Sequence, residues 1–393
     1  MQRLRAAALA VALASPGCAG GLPARGASPG VAEGRAYVYS DNSGLIVTTA
    51  ALDVAQPLTP DLTAHARAVA DRILLERTPL EVEHQAGNQA TGHHDPDVVS
   101  SASAFAAGGE VARKWRFEGT AGLTLAGEVL ELPSEVGASI RAGTEPDYGA
   151  VSAALSARTE LFERNTVVSA SLGAGRDTVS PVEPPPGQAA LWPASHHRLT
   201  AGVTVSQVLS RRLVASGSVA GTLQRGTLEN PYRRAIVRTS LFPEQVPDAR
   251  DRLTASLGLS WYAGRGIALH LRHGIYVDSW GVFGWVPEVS AAKDFGGRVL
   301  VLGRYRRYRQ LAADFYRARY EELAPILTGD ARLGRLAEHL AGAELRWTFL
   351  GAPGERGGAT AILGYELSFL RYEELPTDVI VAHVPSAGLS LAY

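Results

Sequence analysis

The chain is short of the residues that usually announce a chemistry. Cys18 is its only cysteine, so no internal disulfide, thiolate metal cluster or redox pair can form. Met1 is the only methionine, and Lys114 and Lys293 are the only lysines, so positive charge is nearly all arginine. A net charge of −1 gives no strongly basic surface for nucleic acid. No run of ~18 apolar residues is present to form a spanning helix. There is no Gly-x-Ser-x-Gly elbow, no phosphate-cradling loop and no His-Glu-x-x-His helix. The expectation is a protein that is not an enzyme and carries no cofactor.

Alternation organises what is present. Leu253, Ala255, Leu257, Leu259 and Trp261 share one parity; Thr254, Ser256, Gly258, Ser260 and Tyr262 share the other. After the turn Ala263-Gly264-Arg265-Gly266, Ile267, Leu269 and Leu271 alternate with Ala268, His270 and Arg272. Strand side chains switch faces at every residue, so this stretch is a β-hairpin with one apolar and one polar face. A tilted strand of this length crosses the apolar layer of a membrane.

The pattern recurs. A short first strand is expected around 38–40, followed by strands at 45–55, 62–75, 110–130, 136–144, 151–161 and 166–176. Further strands are expected at 199–209, 213–223, 253–262, 267–276, 282–291, 298–308, 338–349 and 359–371, with a last one ending at Tyr393. Long loops are expected at 76–103, 225–250 and 310–335, the last with a short helix over 312–323. The segment 177–197 contains Pro184-Pro185-Pro186 and is expected to stay out of any ladder. The count is about sixteen, an even number. This predicts an all-β fold: one antiparallel transmembrane β-barrel with short periplasmic turns and longer extracellular loops.

Aromatic placement and the termini favour a membrane over a soluble sandwich. Trp261, Tyr262, Phe295, Trp347 and Phe349 lie near short turns, and Tyr305, Phe369, Tyr372 and Trp280 near the opposite ends, as two interfacial belts would. The chain ends on Tyr393 over Leu391 and Leu389, a terminal aromatic typical of exported barrels. Residues 1–19 read as a signal peptide: Arg3 and Arg5, then the short apolar run Ala6 to Ala14, then small residues. Alternatively, Ser15-Pro16-Gly17-Cys18 is a lipoprotein-type site with Cys18 lipidated. Residues 20–34, rich in Gly, Pro and Ala, read as a disordered linker, and 35–393 as the barrel. The expected location is the outer membrane of a Gram-negative cell.

From about Tyr37 to Tyr393 the sequence resembles the bacterial protein family of unknown function number 3570, whose members are predicted outer-membrane β-barrels. The matching stretches are Asp97-Val98-Val99-Ser100-Ser101-Ala102-Ser103, Glu145-Pro146-Asp147-Tyr148, Asn230-Pro231-Tyr232-Arg233, Tyr276-Val277-Asp278-Ser279-Trp280-Gly281 and Ala312-Ala313-Asp314-Phe315-Tyr316. No chemistry attaches to any of them. The family is often encoded near a flavin-attaching enzyme, a thioredoxin-like protein and a small lipoprotein. The resemblance therefore implies an extracytoplasmic, redox-linked assembly with periplasmic or lipoprotein partners.

Candidate chemistry lies on the polar faces. Parity sets Arg272, Arg304, Arg306, Glu344, Arg346 and Glu366 opposite apolar neighbours, so all six are expected to face the lumen; on the lipid side each would cost roughly 2–4 kcal/mol near the midplane. They form either an Arg-rich wall that favours anions or a network in which Arg and Glu neutralise one another. His93-His94 with Asp95 and Asp97, and His196-His197, could each bind a metal, but adjacent side chains of an extended chain point apart, and solvated loop polarity is the plainer reading. The run Arg304 to Arg309 interleaves cations with tyrosines and reads as a strand leaving the membrane rather than a nucleic-acid groove. His270 with Ser256 or Ser260 could make a nucleophile–base pair; polar lumen lining explains them equally well. The expected function is an anchor or conduit for an extracytoplasmic assembly, with a passive channel for small anions as the alternative.

Overall fold

The structure, a computed structural model, describes residues 29–75, 112–181, 189–375 and 379–393. Eighteen strands follow in chain order: β1 Val31–Asp41, β2 Leu45–Pro57, β3 Leu62–Leu75, β4 Ala112–Val129, β5 Leu132–Glu145, β6 Tyr148–Leu161, β7 Thr166–Val179, β8 Ala194–Ser210 and β9 Leu213–Gly226. Then come β10 Arg234–Val237, β11 Ser240–Pro243, β12 Ala249–Gly264, β13 Ile267–Asp278, β14 Phe283–Phe295, β15 Val299–Leu311, β16 Leu336–Leu350, β17 Ala359–Tyr372 and β18 Ile380–Ala392. Sixteen of them form a closed antiparallel barrel in which each strand pairs with its neighbours in sequence and β1 closes on β18; β10 and β11 make a separate small hairpin. Among the described residues no helix is long and apolar enough to cross a membrane; the strands are what cross.

The alternation explains the ladder. Leu253 pairs with Val277 and Leu257 with His273, while Ser256 pairs with Gly274 and Ser260 with His270, so each parity keeps to its own face through the register. A one-residue slip would turn every leucine inward, which is why the register is strongly specified. At the tip of this hairpin Gly264, Arg265 and Gly266 all have positive φ, and the register shifts between Tyr262 and Gly264. The first and last barrel strands are joined at the turn rim, where Gly30 and Tyr393 exchange backbone hydrogen bonds of 2.9 and 2.8 Å.

Several expectations need correction. β1 starts at Val31, so the stretch 20–34 overlaps the barrel, and the first strand is far longer than 38–40. Its outward residues Ala32, Gly34 and Ala36 are small and its inward residues Glu33 and Arg35 charged, so no apolar face advertises it. Segment 177–197 joins the ladder at both ends, with Asp177 opposite His196 and Arg176 opposite His197; the three prolines lie outside the described residues. The expected loop 225–250 holds the β10–β11 hairpin. No helix forms over 312–323. The backbone of Tyr320 instead bonds strand-fashion to β10 and its exit, from Tyr320 N to the Ile236 carbonyl at 2.9 Å and from Arg238 N to the Tyr320 carbonyl at 2.8 Å. Trp280 and Tyr372 are buried rather than in an interfacial belt, and Tyr262 sits on the lumen parity. The leader, Cys18 and the loop 76–103 lie outside the described residues.

Candidate functional site

Contacts that skip strands identify the interior, because only a chord on the concave side can make them. The Arg35 guanidinium on β1 donates to Glu344 on β16 at 3.0 Å, across β17 and β18. Arg304 on β15 donates to Glu366 on β17, passing over Gly342 of β16, where a Cβ would come within 3.1 Å of Glu366 Cγ and 3.4 Å of Arg304 Cγ. Charged parities therefore face the lumen, and exposed leucines such as Leu257, 73 % accessible, face outward.

The lumen has two unlike walls. From β14 round to β3 it is filled. Inward Leu302, Leu340, Ile362, Ala382, Val47 and Ile73 are buried. Arg306 meets Glu338 at 3.0 Å, and the Ser368 hydroxyl donates to the same carboxylate at 2.7 Å. Glu344 takes Arg346 at 2.5 Å as well as Arg35, which also holds Glu33 at 2.5 Å. Arg67 faces Asp53 at 3.5 Å, and Thr49 donates to Asp71 at 2.6 Å. Arg272 stands opposite Glu288 on β14 and Gly258 on β12.

From β6 to β12 the wall is bare. Its inward positions are Ser152 and Ser156 on β6, Ser169 and Ser171 on β7, Thr200 and Thr204 on β8, Ser216 and Ser218 on β9, and Ser256 and Ser260 on β12, with alanine, glycine and threonine between them. At these positions no inward side chain is charged or larger than threonine; Arg158 opposite Ser169 and Arg252 opposite Thr222 mark where the bare stretch ends. Hydroxyls bond across strands, Ser218 to Ser256 at 2.7 Å and Thr200 to Thr222 at 3.2 Å. Ser156, Ser171 and Ser216 are exposed, so this wall borders open space.

Ion pairs close both ends of the bare wall. Near the turns Arg158 meets Glu135 at 3.3 Å and Glu160 at 3.2 Å. At the loop rim buried Lys114 sits 3.3 Å from Glu145 and 2.7 Å from Asp147. Beside it, His196 lies 2.9 Å from Asp177, with Arg198 at 3.6 Å. The strand puts His196 inward and exposed His197 outward, so the two are structural neighbours of opposite faces and not a solvated loop pair. His93, His94, Asp95 and Asp97 lie outside the described residues. Among the described residues no group of three or more His, Cys, Asp or Glu is placed to hold a metal. His270 Nδ1 meets Ser260 Oγ at 2.9 Å, but its Nε2 is buried with no hydrogen-bond partner, so no acid orients the ring as a catalytic base would need. Ser256 is bonded to Ser218 instead.

Over the rim of β9 and β12–β18, residues 227–248 and 312–335 pack into a cap. Leu228, Val246, Trp280, Val282, Ala313, Tyr316 and Leu333 form one buried cluster. Ala235, Val237, Tyr320 and Leu327 form a second. Glu244 accepts from Asn230 N at 2.8 Å and from Arg233 at 3.3 Å within its own segment, and from the Thr328 hydroxyl of the other. Arg233 also reaches Asp330 at 3.0 Å. Arg250, donating to Asp278 at 2.5 Å and lying 4.2 Å over the Trp280 ring, ties the cap to the barrel. Gly281 has φ +87° and a Cβ there would strike Asp314. The motifs Asn230–Arg233, Tyr276–Gly281 and Ala312–Tyr316 thus converge in one place. Glu244, Thr328 and Asp330 were not singled out from the sequence, since no periodicity marks a residue in an irregular segment.

A closed antiparallel barrel with an apolar outside, a polar inside and loops gathered at one rim is an outer-membrane-type transmembrane β-barrel. The chain belongs to the family described as "Protein of unknown function (DUF3570)", which it matches over residues 84–353. No curated protein matches it. Among solved structures it is similar to a bacterial polysaccharide outer membrane secretin, at 10 % identity and a TM-score of 0.51, covering 94 % of this chain and 100 % of that one. The outer membrane protein opdK of Pseudomonas aeruginosa is matched at 10 % identity and a TM-score of 0.42, over 93 % of this chain and 99 % of that one. A mutant of the ferric enterobactin receptor PfeA of Pseudomonas aeruginosa is matched at 12 % identity and 0.43, over 88 % of this chain and 54 % of that one. At these identities the likeness is one of fold.

Proposed function

We propose that the protein is a passive conduit of the outer membrane, with its water-filled passage running along the bare wall of β6–β9 and β12. The observation that carries this reading is the solvent-open, charge-free hydroxyl lining. Such a surface hydrogen-bonds polar solutes in either direction, as donor or acceptor, and holds none of them strongly. The expected cargo is small, polar and uncharged. Anion selectivity has weaker support, because Arg304, Arg306 and Arg346 each face a carboxylate and present little net field. One observation favours a second role as an anchor for an extracytoplasmic, redox-linked assembly: the cap gives the loop rim a packed surface.

Conductance in a planar bilayer, paired with swelling of liposomes in neutral sugars, tests the conduit. Steady conductance with weak ion preference, together with sugar entry, is the expected result. A pore that strongly prefers chloride would return the reading to an anion channel. Neither conductance nor swelling would leave the anchor.

A further inference from the structure

The outward face of the barrel strands is small or apolar over most of its area, and its arginines stand at one rim. Close to the long loops, Arg72, Arg113, Arg176, Arg225, Arg307 with Arg309, and Arg371 point outward. The only outward carboxylate on these strands is Asp251, and Arg225 holds it. Close to the short turns the outward cation is Lys293 alone.

The cations gather on β15–β18. Arg309 and Arg371 share one level of the ladder, with Ala337 between them. One level deeper, Arg307 stands opposite His339. Below these, Tyr305 meets His339 Nδ1 at 2.7 Å and Tyr365 meets His383 Nδ1 at 2.6 Å, so two tyrosine–histidine pairs floor the patch. Arg307 and Arg371 are exposed and make no ion pair among the described residues, and Arg309 has only Glu373 at 3.8 Å. Trp285, opposite Arg309, and Phe369, opposite His339, flank the patch on the outward face.

Neighbouring strands lie about 4.8 Å apart and same-face residues roughly 6.6 Å apart along a strand, so the three arginines spring from an area about 10 Å across. That is the scale of one lipid headgroup. An arginine at this depth must reach water or meet an anion. Its planar fork matches phosphate oxygens two at a time. Tyrosines and tryptophan at the same level hold the depth at which headgroups lie. We infer that the outer face of β15–β18 at the loop rim is a binding site for a phosphate-bearing lipid headgroup of net negative charge in the surrounding leaflet. The other outward arginines come in twos at most: Arg72 and Arg113 on neighbouring β3 and β4, and Arg176 and Arg225 on one level across His197, where Asp251 already holds Arg225; none of these groups brings three arginines together. This inference is independent of the conduit reading, because it concerns the other face of the sheet.

The test uses the full-length protein in vesicles of phosphatidylcholine doped with phosphatidic acid at ~10 mol %, followed by mass spectrometry of the lipids retained on extraction into detergent. Wild type should retain phosphatidic acid in ~10-fold excess over its share of the vesicle, the enrichment of a site worth about 1.4 kcal/mol. Arg307→Gln with Arg371→Gln should lose most of the excess, Arg307→Lys with Arg371→Lys should keep part of it, and Arg176→Gln on β7 should keep all of it. Unshifted heat-modified mobility on a gel certifies that each variant is a folded barrel. Retention in proportion to vesicle composition overturns the inference, as does full retention by the Gln pair. Equal loss with Arg176→Gln means a diffuse belt and overturns it too. Displacement of the lipid by millimolar inorganic phosphate makes the site one for free phosphate rather than lipid.

Discussion

Strands β6–β9 and strands β14–β18 belong to one sheet and face one lumen, yet they line it differently. The first set offers the interior nothing larger than threonine across its middle. The second fills the interior with leucine, isoleucine and arginine–glutamate pairs. Both obey the same outer constraint, an apolar face against lipid, so the difference is confined to the inward parity. A wall that is packed and ion-paired spends its side chains on holding the barrel; a wall of hydroxyls leaves room. The charges of this lumen therefore read first as internal struts, and the empty side as the path.

The comparison depends on which parity faces in, and one strand tests that at the largest effect. Leu257→Arg puts a charge on the lipid face of β12, a cost of roughly 2–4 kcal/mol near the midplane, and should strongly impair assembly. Ser256→Asp, one residue away on the hydroxyl wall, should assemble nearly as wild type. Heat-modifiable mobility of the two variants in isolated membranes is the readout, and equal tolerance of both would reverse the face assignment.

A smaller effect separates the two walls themselves. Glu344→Ala leaves Arg35 and Arg346 without their shared carboxylate, and removing one partner of a buried pair is costly. These side chains keep some water contact, so the expected loss is ~2 kcal/mol rather than the full buried value. Ser171→Ala on the bare wall should change stability by under about 0.5 kcal/mol, since an exposed hydroxyl rebonds to water at little net cost. Urea midpoints of the refolded barrel give both numbers; if they are equal, the ion-paired wall is not the structural one.

The barrel was legible because its signal is local. Strict alternation from Leu253 to Arg272 places each residue on its face with no knowledge of its partners, and 62–75 coincides with β3. The two unlike walls were legible only in part. Arg304, Glu344 and Glu366 could be set inward by parity, but that Arg304 reaches Glu366 over Gly342 depends on a glycine on the strand between them, some 40 residues along the chain from Arg304. β1 stayed hidden because its outward face is alanine and glycine, which carry almost no apolar contrast with charged neighbours. The cap was missed for a different reason. Ala312–Leu323 has a helix-like composition, yet Tyr320 spends its backbone bonds on β10, a segment some 85 residues earlier. Tertiary pairing of that kind leaves no period to read.

The cap extends the ion-paired side of the comparison beyond the membrane, and its stability should carry the mark of that chemistry. Burial alone would push the Asp330 carboxyl up, but the Arg233 and Arg332 guanidiniums and the hydrogen bonds from Arg332 outweigh it and hold the group well below the usual carboxylate range. A folded-state value below the unfolded one means a contribution present above the unfolded value, about 3.9 for Asp, and lost as pH falls from there toward the folded one. Glu229 has the opposite sign: burial raises it, so acid relieves it. The two offset in part, and the net loss on going from pH 5 to pH 3 should be on the order of 1 kcal/mol. It should show as faster hydrogen exchange, after correction for intrinsic rates, at the amides of Gln245 and Leu327, which bond across the two cap segments at 2.9 and 2.8 Å. Amides of the hydroxyl wall in β7 and β8 should not respond, having no buried carboxylate at mid-strand. Asp330→Asn should weaken the cap at pH 7 and flatten its response to acid. A cap equally protected at both pH values in the wild type would mean that apolar packing around Trp280 and Tyr320 holds it alone, and that the ion-paired chemistry ends at the rim.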